Sequence, residues 1–391
     1  MDILGVLNFV LSVLIGIFLL VLLVVVHELG HAIAARRNGV VVEEFGIGFP
    51  PRAWSKKLHN GVLFTLNWLP LGGFVKLQGE HDAANKKGDY GAASMWAKTK
   101  ILLAGVVMNW VVAVVIFTGL ALTGLPRFEG VIDHQFTVAS DTVEVKKPVA
   151  VAEVIAGSPA DKAGLKTGDQ LLRFNGQPIP EPKTLNELTL ANRGEKVEII
   201  YSRGGVERTA TATLNANNAD KKGYLGVAPS QRTLTRSTWS APVVGVVTTY
   251  QLTEATFKSL GKTLADFVTG VVSKVSLDVK TREQGTEKLD EVGSNIAGPI
   301  GILGVIFPAA REAGFGSLML LTGIISLTLA VMNALPIPAL DGGRWFVTVL
   351  FRLLKKPLTK DVEERIHATG FMVLMGLVVL VTIADVTKLG R

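Results

Sequence analysis

The sequence predicts a polytopic α-helical membrane protein with four transmembrane helices, a membrane-associated β-hairpin region and an inserted extracytoplasmic α+β domain. The 391-residue chain is 48% hydrophobic and its mean hydropathy is positive, which points to the membrane. Four long apolar runs are separated by loops that differ in Lys and Arg content. The region between the second and third runs carries the strand and turn patterns of a globular domain.

The four apolar runs are long enough, or nearly so, to cross a bilayer as helices. They are Ile3–Val26, Ile101–Leu125, Leu318–Leu335 and Ala368–Ala384. Asp2 and no basic residue precede the first run, so we interpret it as a retained helix and not as a cleaved signal peptide.

Basic residues predict the orientation. The loops after the first and third runs are rich in Lys and Arg, whereas the N-terminus has none and the C-terminal tail has two. The positive-inside rule places both basic loops in the cytoplasm, and both termini and the middle region outside. The predicted location is the cell (plasma or inner) membrane. The net charge of +7 is interpreted as topology, and no basic run interleaved with aromatics suggests nucleic-acid binding.

The membrane core is predicted in two halves, residues 1–125 and 296–391. Within the first half, Phe45–Glu80 alternates apolar and polar residues around Gly-containing turns, which predicts a β-hairpin. Its apolar residues suggest that the hairpin lies against the membrane. Within the second half, Ile296–Ala310 is short and rich in Gly and Pro, and we expect a re-entrant segment.

Residues 126–230 are predicted to form the α+β domain. Ser158-Pro159 marks a helix start, Thr184–Asn192 a second helix, and Gly204-Gly205 a turn between two strands. Residues 231–295 are predicted as a helical stalk that ends in a polar linker, Asp278–Gly293.

The first apolar run ends in His27-Glu28-x-x-His31, a zinc-binding pattern. On a helix, positions i and i+4 share a face, so both imidazoles can reach one ion. Glu28 lies beside the first ligand, where a carboxylate can take a proton from the attacking water. Ionisable residues at the end of a spanning helix are costly and usually functional. The alternative is two structural histidines and a glutamate that reaches the interface.

A catalytic zinc needs a third protein ligand and an open position. The chain has no cysteine, so the ligand must be His, Asp or Glu. Asp341 is the candidate, because it follows the third apolar run and a segment broken by Pro336 and Pro338. Gly342-Gly343 would let the chain turn closely there. The predicted topology puts Asp341 at the same membrane depth as the two histidines.

Two asparagines lie in the apolar runs, Asn109 and Asn333. Each could form an interhelical hydrogen bond, or it could orient substrate or stabilise an oxyanion. Function is favoured for Asn333, and the choice for Asn109 is open.

These motifs resemble the site-2 proteases, the zinc intramembrane metalloproteases, over nearly the whole chain. The resemblance rests on "HELGHAIAARRNGV", "PLGGFVKLQGE", "GVVMNW", "AGSPADKAGLKTGDQLLRFNG" and "NALPIPALDGGRW". The sequence is most similar to the bacterial RseP-like branch. The resemblance implies Zn²⁺ held by His27, His31 and Asp341, with Glu28 as the catalytic acid/base. It also implies that the hairpin helps to present substrate.

The resemblance further implies that the middle domain is a PDZ domain in its circularly permuted bacterial form. The chain has one "GSPADKAGL"-type unit where RseP has two, so it resembles the single-PDZ members. A PDZ groove binds an extended peptide or a C-terminus through loop amides. The expected loop is Gly223, Tyr224, Leu225, Gly226 and Val227.

The expected function is a zinc endopeptidase that cuts the transmembrane segments of single-span membrane proteins within the lipid bilayer. Pre-trimmed anti-sigma factors and remnant signal peptides are the expected substrate classes, in regulated intramembrane proteolysis. Two alternatives remain open. One is a PDZ-bearing scaffold or sensor with structural zinc, and the other is a protease whose third zinc ligand is a later glutamate.

Overall fold

The computed structural model of the chain describes residues 3–128, 130–217, 223–274, 278–295 and 297–389. The chain divides into two compact units. The first, the helical unit, contains residues 1–120, 130–136 and 241–391, and the second, the β unit, contains residues 121–129 and 137–240. Ile296 of the expected re-entrant segment and residues 218–222 of the expected PDZ domain lie outside the described residues.

The first predicted span is part of a longer helix, α1 (Ile3–Arg37), which continues through the His27–His31 motif without a break. No proline interrupts this segment. The helix ends where Gly39 adopts a positive φ of 78°, a common way to terminate a helix. Arg36 and Arg37 lie in the last turn, where a positive charge is favourable.

Two bent antiparallel strands, β1 (Val42–Lys57) and β2 (Leu63–Leu77), form the sheet that was predicted as a hairpin over Phe45–Glu80. The bends let residues 44–47 of β1 pair on one side with 63–66 and on the other with 73–76 of β2. Residues 52–57 pair only with 63–67. The part of the sheet distant from residues 73–76 exposes large apolar side chains, among them Phe49, Trp54, Leu66, Trp68 and Leu69.

The second predicted span lies in α2 (Met95–Thr123). This helix begins before the apolar run because Ser94 Oγ accepts a hydrogen bond from Ala97 N–H at 3.2 Å, as an N-cap does. The first two turns, which include Lys98 and Lys100, therefore extend the predicted run at its N-terminal end.

Among its described residues, the β unit contains two sheets. Strands β3 (Leu125–Pro126) and β4 (Val143–Lys146) flank β11 (Thr233–Arg236) in one of them. The other has the order β10-β5-β6-β8-β9, with β7 paired to β6. Its strands are β5 (Val149–Val154), β6 (Gln170–Phe174), β7 (Gln177–Pro178), β8 (Lys196–Arg203), β9 (Val206–Thr213) and β10 (Val227–Ser230).

Two short helices complete the β unit, α3 (Pro159–Lys162) and α4 (Pro182–Ala191). Ser158 caps α3 by accepting a hydrogen bond from Asp161 N–H, as the Ser-Pro pair predicts. Helix α4 begins two residues before the predicted Thr184, because Pro182 occupies its first turn. The core between sheet and helices is built from buried residues that include Val149, Leu171, Phe174, Leu185 and Ile199.

The chain returns to the helical unit with α5 (Ala241–Lys274) and α6 (Val279–Asn295). The prediction of a linker over Asp278–Gly293 is wrong, because that segment is helical and packs on α5. Gly270 and Gly285 let the two backbones meet: a Cβ on Gly285 would lie 2.8 Å from Gly270 O. Lys288 Nζ also donates to Thr269 Oγ1 at 3.2 Å. Polarity therefore marked an amphipathic helix and not a loop.

The segment expected to be re-entrant forms α7 (Pro299–Gly301), a π-helical turn (Ile302–Ile306) and α8 (Phe307–Glu312). Asp385 accepts hydrogen bonds from Gly298 N–H at 3.0 Å and Gly301 N–H at 2.8 Å, which satisfies the start of α7. The path of this segment relative to the bilayer stays a prediction.

Three helices end the chain: α9 (Phe315–Ala334), α10 (Asp341–Leu353) and α11 (Lys360–Leu389). Within the described residues, α1, α2, α9 and α11 are the helices long and apolar enough to cross a membrane. They correspond to the four predicted spans. Helix α11 extends past the predicted Ala368–Ala384 at both ends.

Asp169 and Arg203 form an ion pair that holds β6 and β8 together. The Asp169 side chain is 1% exposed and accepts hydrogen bonds from Arg203 Nε and Nη2, both at 2.7 Å. Burial alone would raise the pKa of Asp169, but the bonds from Arg203 and from Lys166 N–H outweigh it and lower the pKa below its usual value. The charged carboxylate thus stabilises the β unit.

We expect Arg203→Gln to reduce the free energy of opening of the β6–β8 region by about 1–3 kcal/mol at pH 7, because it leaves a buried carboxylate poorly paired. A lowered pKa gives stability that is present above the unfolded pKa of about 4 and lost as the pH falls below it. In Arg203→Gln, the free energy of opening of the β6–β8 region should therefore also depend less on pH in the acid range. Hydrogen–deuterium exchange of β6 and β8 peptides in the full chain between pH 3 and 7 measures both effects. The control variant is Arg173→Gln, since Arg173 is exposed on β6. Equal exchange rates and equal pH dependence in the two variants would contradict the prediction.

Candidate metal centre

Helices α1 and α2 approach closely beside the His-Glu motif. A Cβ on Gly30 would lie 2.6 Å from Ala104 O, so only glycine permits this contact. The approach aligns His27 and His31 of α1 with Ile101, Gly105 and Asn109 of α2. Each set recurs every four residues, which puts its members on one helix face.

The structure brings the three predicted ligand residues together. His27 Nε2 lies 3.0 Å and His31 Nε2 3.2 Å from Asp341 Oδ2, and the two imidazole nitrogens are 3.2 Å apart. Among the described residues, these are the only three His, Asp or Glu side chains with ligand atoms grouped within 4.8 Å of one another. No glutamate takes the place of Asp341 in this group.

The spacing of these atoms fits a zinc ion. Tetrahedral ligands at 2.0–2.1 Å from Zn²⁺ are separated from one another by about 3.3–3.4 Å. The observed separations of 3.0–3.2 Å are close to that value. Three protein ligands leave the fourth position for water or substrate, which is the arrangement of a catalytic site. Two imidazoles and one carboxylate also match the ligand types that zinc accepts.

Helix α2 fixes the orientation of His31. The Nδ1 atom of His31 lies 2.7 Å from the backbone oxygen of Ile101. A carbonyl can only accept, so Nδ1 carries the proton and Nε2 keeps its lone pair for a metal. His31 is 8% exposed, so the contact with α2 sets the orientation of its ring and hydrogen bonds to solvent do not.

Asn109 lies behind His27. Its amide nitrogen is 3.4 Å from His27 Nδ1, and its Oδ1 atom is buried without a hydrogen-bond partner. Exchange of the two amide atoms would let Oδ1 accept from His27 Nδ1–H, which would leave the His27 Nε2 lone pair for a metal. The residue is 1% exposed, and Ser326 Oγ of α9 donates to its backbone oxygen at 2.8 Å. This position suits the orientation of a ligand better than contact with substrate.

Gly105 forms the wall behind the two imidazoles. A Cβ on this residue would lie 2.5 Å from His31 Nε2 and 2.6 Å from His27 Nε2. Any side chain at position 105 would therefore displace the two nitrogens. The sequence prediction missed Gly105, although its spacing of four residues from Asn109 was a usable signal.

Asp341 enters the site from the junction of α9 and α10. Helix α9 ends at Ala334 and the following loop contains Ala339 with a positive φ of 81°. Asp341 is then the first residue of α10, where a carboxylate is favoured by the helix dipole. Gly343 packs so tightly on the loop that a Cβ would lie 1.9 Å from Ile337 O. Gly342 and Gly343 thus permit the loop to pack closely on the helix. They do not form the turn that was expected.

Glu28 lies between the ligand residues and β2. It lies close enough to His27, His31 and Asp341 to interact with them electrostatically, and the backbone N–H of Val75 faces its carboxylate. A Cβ on Gly73 would lie 3.5 Å from Glu28 Cγ. The β2 segment 73–76 therefore runs alongside the candidate base. Val75 was not predicted, because sequence alone does not reveal which strand meets α1.

The other predicted site residues lie elsewhere. Asn333 is in the last turn of α9, and within the described residues its side chain makes no hydrogen bond to His27, His31 or Asp341. The expected carboxylate loop, Gly223–Val227, is in the β unit. Gly223 and Gly226 have φ values of 75° and 79°, and the carbonyl of Leu225 accepts from Ala160 N–H at 3.0 Å.

Comparisons with known proteins agree with this site. A family model described as Peptidase family M50 matches residues 15–377. A Clostridium perfringens protein named "Putative zinc metalloprotease" is 31% identical over 366 residues, which cover 93% of this chain and 95% of that protein. The zinc metalloprotease RasP of Geobacillus kaustophilus is 26% identical over 446 residues, which cover 94% and 95%.

A solved structure, the PDZ domain of an SdrC-like protein from Listeria monocytogenes, is similar to part of the chain. It is 25% identical and covers 24% of this chain and 93% of that domain, with a TM-score of 0.19.

The sequence and the site thus define a zinc metalloprotease with apolar helices for a membrane. The chain belongs to peptidase family M50, the site-2 proteases. This confirms the resemblance seen in the motifs, the enzyme class, and zinc as the cofactor.

We expect Gly105→Ala to abolish zinc binding although it removes no ligand, because the added methyl group occupies the space beside both imidazole nitrogens. Zinc content of the purified full chain, measured by mass spectrometry of the metal, checks this. Gly119→Ala is the matched control on the same helix, since a Cβ there meets nothing within 4 Å. Full zinc content in Gly105→Ala would contradict the geometry.

Asp341→Ala should also lose zinc, because two imidazoles alone hold it far more weakly than three ligands. The measurement is the zinc content after dialysis against a weak chelator. Retention of zinc at the level of the unchanged chain would favour a different third ligand.

Proposed function

We propose that this protein is an intramembrane zinc endopeptidase that cuts the transmembrane segments of single-span membrane proteins. The observation that carries the proposal is the group formed by His27, His31 and Asp341, with Glu28 beside it. All four residues lie on segments that border apolar spans. Pre-trimmed anti-sigma factors and remnant signal peptides fit as substrates, since each is a single span, and such cleavage serves regulated intramembrane proteolysis.

Each residue has a distinct chemical task in this proposal. His27, His31 and Asp341 would hold the zinc, which when bound activates water and polarises the scissile carbonyl. Glu28 takes the proton from the attacking water at a carboxylate oxygen and delivers it to the leaving amide nitrogen. The Val75 N–H that faces the Glu28 carboxylate would help to orient it during both transfers. Asn333 remains a candidate for contact with the substrate or the oxyanion.

The edge of β2 supports presentation of an extended substrate. Residues 73–76 pair with β1 on one side only, and within the described residues no strand pairs with the other edge. Val75 directs its N–H from that edge toward Glu28. A helix in a bilayer must unwind before its amide can be attacked, because its backbone groups are already paired. An unpaired strand edge offers new hydrogen bonds to the unwound segment.

The proposal includes the orientation and the domains predicted above. The Lys and Arg distribution supports a metal centre near the cytoplasmic side, with both termini and residues 126–230 outside. The sheet and two helices of the β unit support a PDZ domain there, which would bind a peptide or a substrate C-terminus at Gly223–Val227. Residues 231–295 would then connect the domain to the second half of the membrane core.

We expect Glu28→Gln to bind zinc like the unchanged chain and to lose at least about 100-fold in cleavage rate, because the amide cannot accept the proton. The assay is cleavage of a membrane-anchored substrate, already trimmed on its outer side, by full-length protein in liposomes. Glu254→Gln, which changes an exposed carboxylate on α5, is the control and should cleave normally.

Equal cleavage by Glu28→Gln and the unchanged chain would refute the proteolytic assignment. A PDZ-bearing scaffold or sensor with structural zinc would then be the better interpretation.

A further inference from the structure

A polar cluster connects the Asp341 helix to the loop after β2 and to α11. We propose that Arg344 is a positioning residue for Asp341, acting by tying the first turn of α10 to Glu80 and Glu363. Arg344 does not touch the ligand atoms, and no feature of the sequence pattern assigned it a role. Its position three residues after Asp341 places it one helical turn along the same helix.

The contacts of Arg344 are specific and come from two directions. Its Nη1 donates to Glu80 Oε1 at 2.9 Å, and Nη2 donates to the backbone oxygen of Glu80. On its other side, Nε lies 3.6 Å from Glu363 Oε1 of α11. The contact of Nε with Glu363 is an ion pair and not a hydrogen bond, since Nε has no hydrogen-bond partner among the described residues. A planar guanidinium can bond Glu80 through two donors and still face Glu363 with its third nitrogen, whereas the single ammonium group of Lys cannot.

The partners of Arg344 are themselves held in place. The Glu363 side chain is 3% exposed, and its Oε2 accepts from Asp82 N–H at 2.8 Å. The ring of Tyr90, 1% exposed, lies 5.1 Å from the guanidinium carbon, within cation–π range. The loop after β2 and the start of α11 therefore form a rigid socket for Arg344.

The socket also reaches the loop before Asp341. His367 of α11 lies close enough to Arg344 and Glu363 to interact with both electrostatically. Its Nδ1 accepts a hydrogen bond from Ala339 N–H at 3.2 Å. Ala339 is the residue with the positive φ, two positions before Asp341. Contacts to α11 thus hold both sides of Asp341 along the chain.

Charge pairing makes this arrangement sensitive to rotation of α10. Arg344 stays protonated inside proteins, and a turn of α10 would remove its side chain, which is 23% exposed, from both carboxylates. The Glu363 carboxylate, which is 3% exposed, would then lose its charged partner, and a buried charge without its partner is strongly unfavourable. A metal ligand must be held to within about 0.5 Å. Because rotation of α10 would break the ion pairs of Arg344, these pairs restrain α10 and therefore fix the position of Asp341. Trp345 adds a second restraint, as its Nε1 donates to Thr99 Oγ1 of α2 at 2.9 Å.

The inference rests on the proposed function in assuming that Asp341 is a zinc ligand. The experiment therefore measures zinc affinity and not only cleavage. Failure of the unchanged chain to bind zinc would refute the proposed function, whereas unchanged affinity in the Arg344 variants would refute only the positioning role.

The test compares Arg344→Lys and Arg344→Gln in the full chain in detergent. Zinc affinity is measured by competition with a chromogenic chelator, and the site geometry by the visible spectrum of the Co²⁺-substituted protein. We expect zinc binding about 10-fold weaker in Arg344→Lys and up to about 100-fold weaker in Arg344→Gln, each with an altered cobalt spectrum. Arg37→Gln is the control. Arg37 is exposed in the last turn of α1, outside the socket, and its variant should bind within twofold of the unchanged chain.

Thermal unfolding of the metal-free variants separates positioning from simple structural support. Weaker zinc binding at an unchanged metal-free midpoint supports the proposal. Wild-type affinity and spectrum in both variants, or affinity lost only in parallel with the metal-free midpoint, overturns it. If Arg344→Gln does not fold, the same criteria apply to Arg344→Lys and to Glu363→Gln, which weakens the network from α11.

Discussion

The structure depends on one constraint: three lone pairs must point at the same place from segments 314 residues apart in the chain. His27 and His31 satisfy their part locally, through the period of one helix. Asp341 does so only because the chain brings α9 and α10 back against α1 and α2. The helical unit is therefore organised around the metal centre, where these three side chains come together. The apolar surfaces elsewhere suit the helices to the bilayer.

Small residues make that meeting possible. Without a large hydrophobic driving force between helices in lipid, close packing and hydrogen bonds hold them together. Gly30 lets α1 and α2 approach, Gly105 leaves room for the imidazoles, and Gly343 lets the broken segment lie on α10. Polar atoms then fill the contacts, as Ile101 O and Asn109 do behind the histidines. Ligand geometry is thus set largely by residues that carry no chemistry.

Much of this arrangement is predictable from the sequence, and the limits have physical causes. Hydropathy reveals the spans because every backbone group in a bilayer must be paired within the helix. The metal centre is identified by the His27–His31 spacing and by the proline-broken segment before Asp341, because unpaired backbone at membrane depth must be buried in protein or line a cavity. The extension of α1 to Arg37 and of α2 to Met95 is less visible, since polar turns continue helices without an apolar signal.

Tertiary contacts are what the sequence does not reveal. The pairing of residues 73–76 beside Glu28 depends on bends in β1 and β2 that bring two parts of one strand to opposite edges of the other. The helical state of Val279–Asn295 depends on its packing against α5, and its polarity suggested a linker instead. Arg344 is an ordinary basic loop residue in the sequence, and only the fold shows that it lies between Glu80 and the buried Glu363.

The unbroken path of α1 has a consequence for how water enters. Arg36 follows His31 by five residues, which is about 8 Å along a helix axis. Basic side chains at the end of a span lie at the level of the lipid headgroups. In the proposed topology, a water molecule would have to travel only about one and a half helical turns below the headgroups, a small part of the hydrocarbon thickness of about 30 Å. The unbroken helix would then keep the metal centre within reach of the aqueous phase.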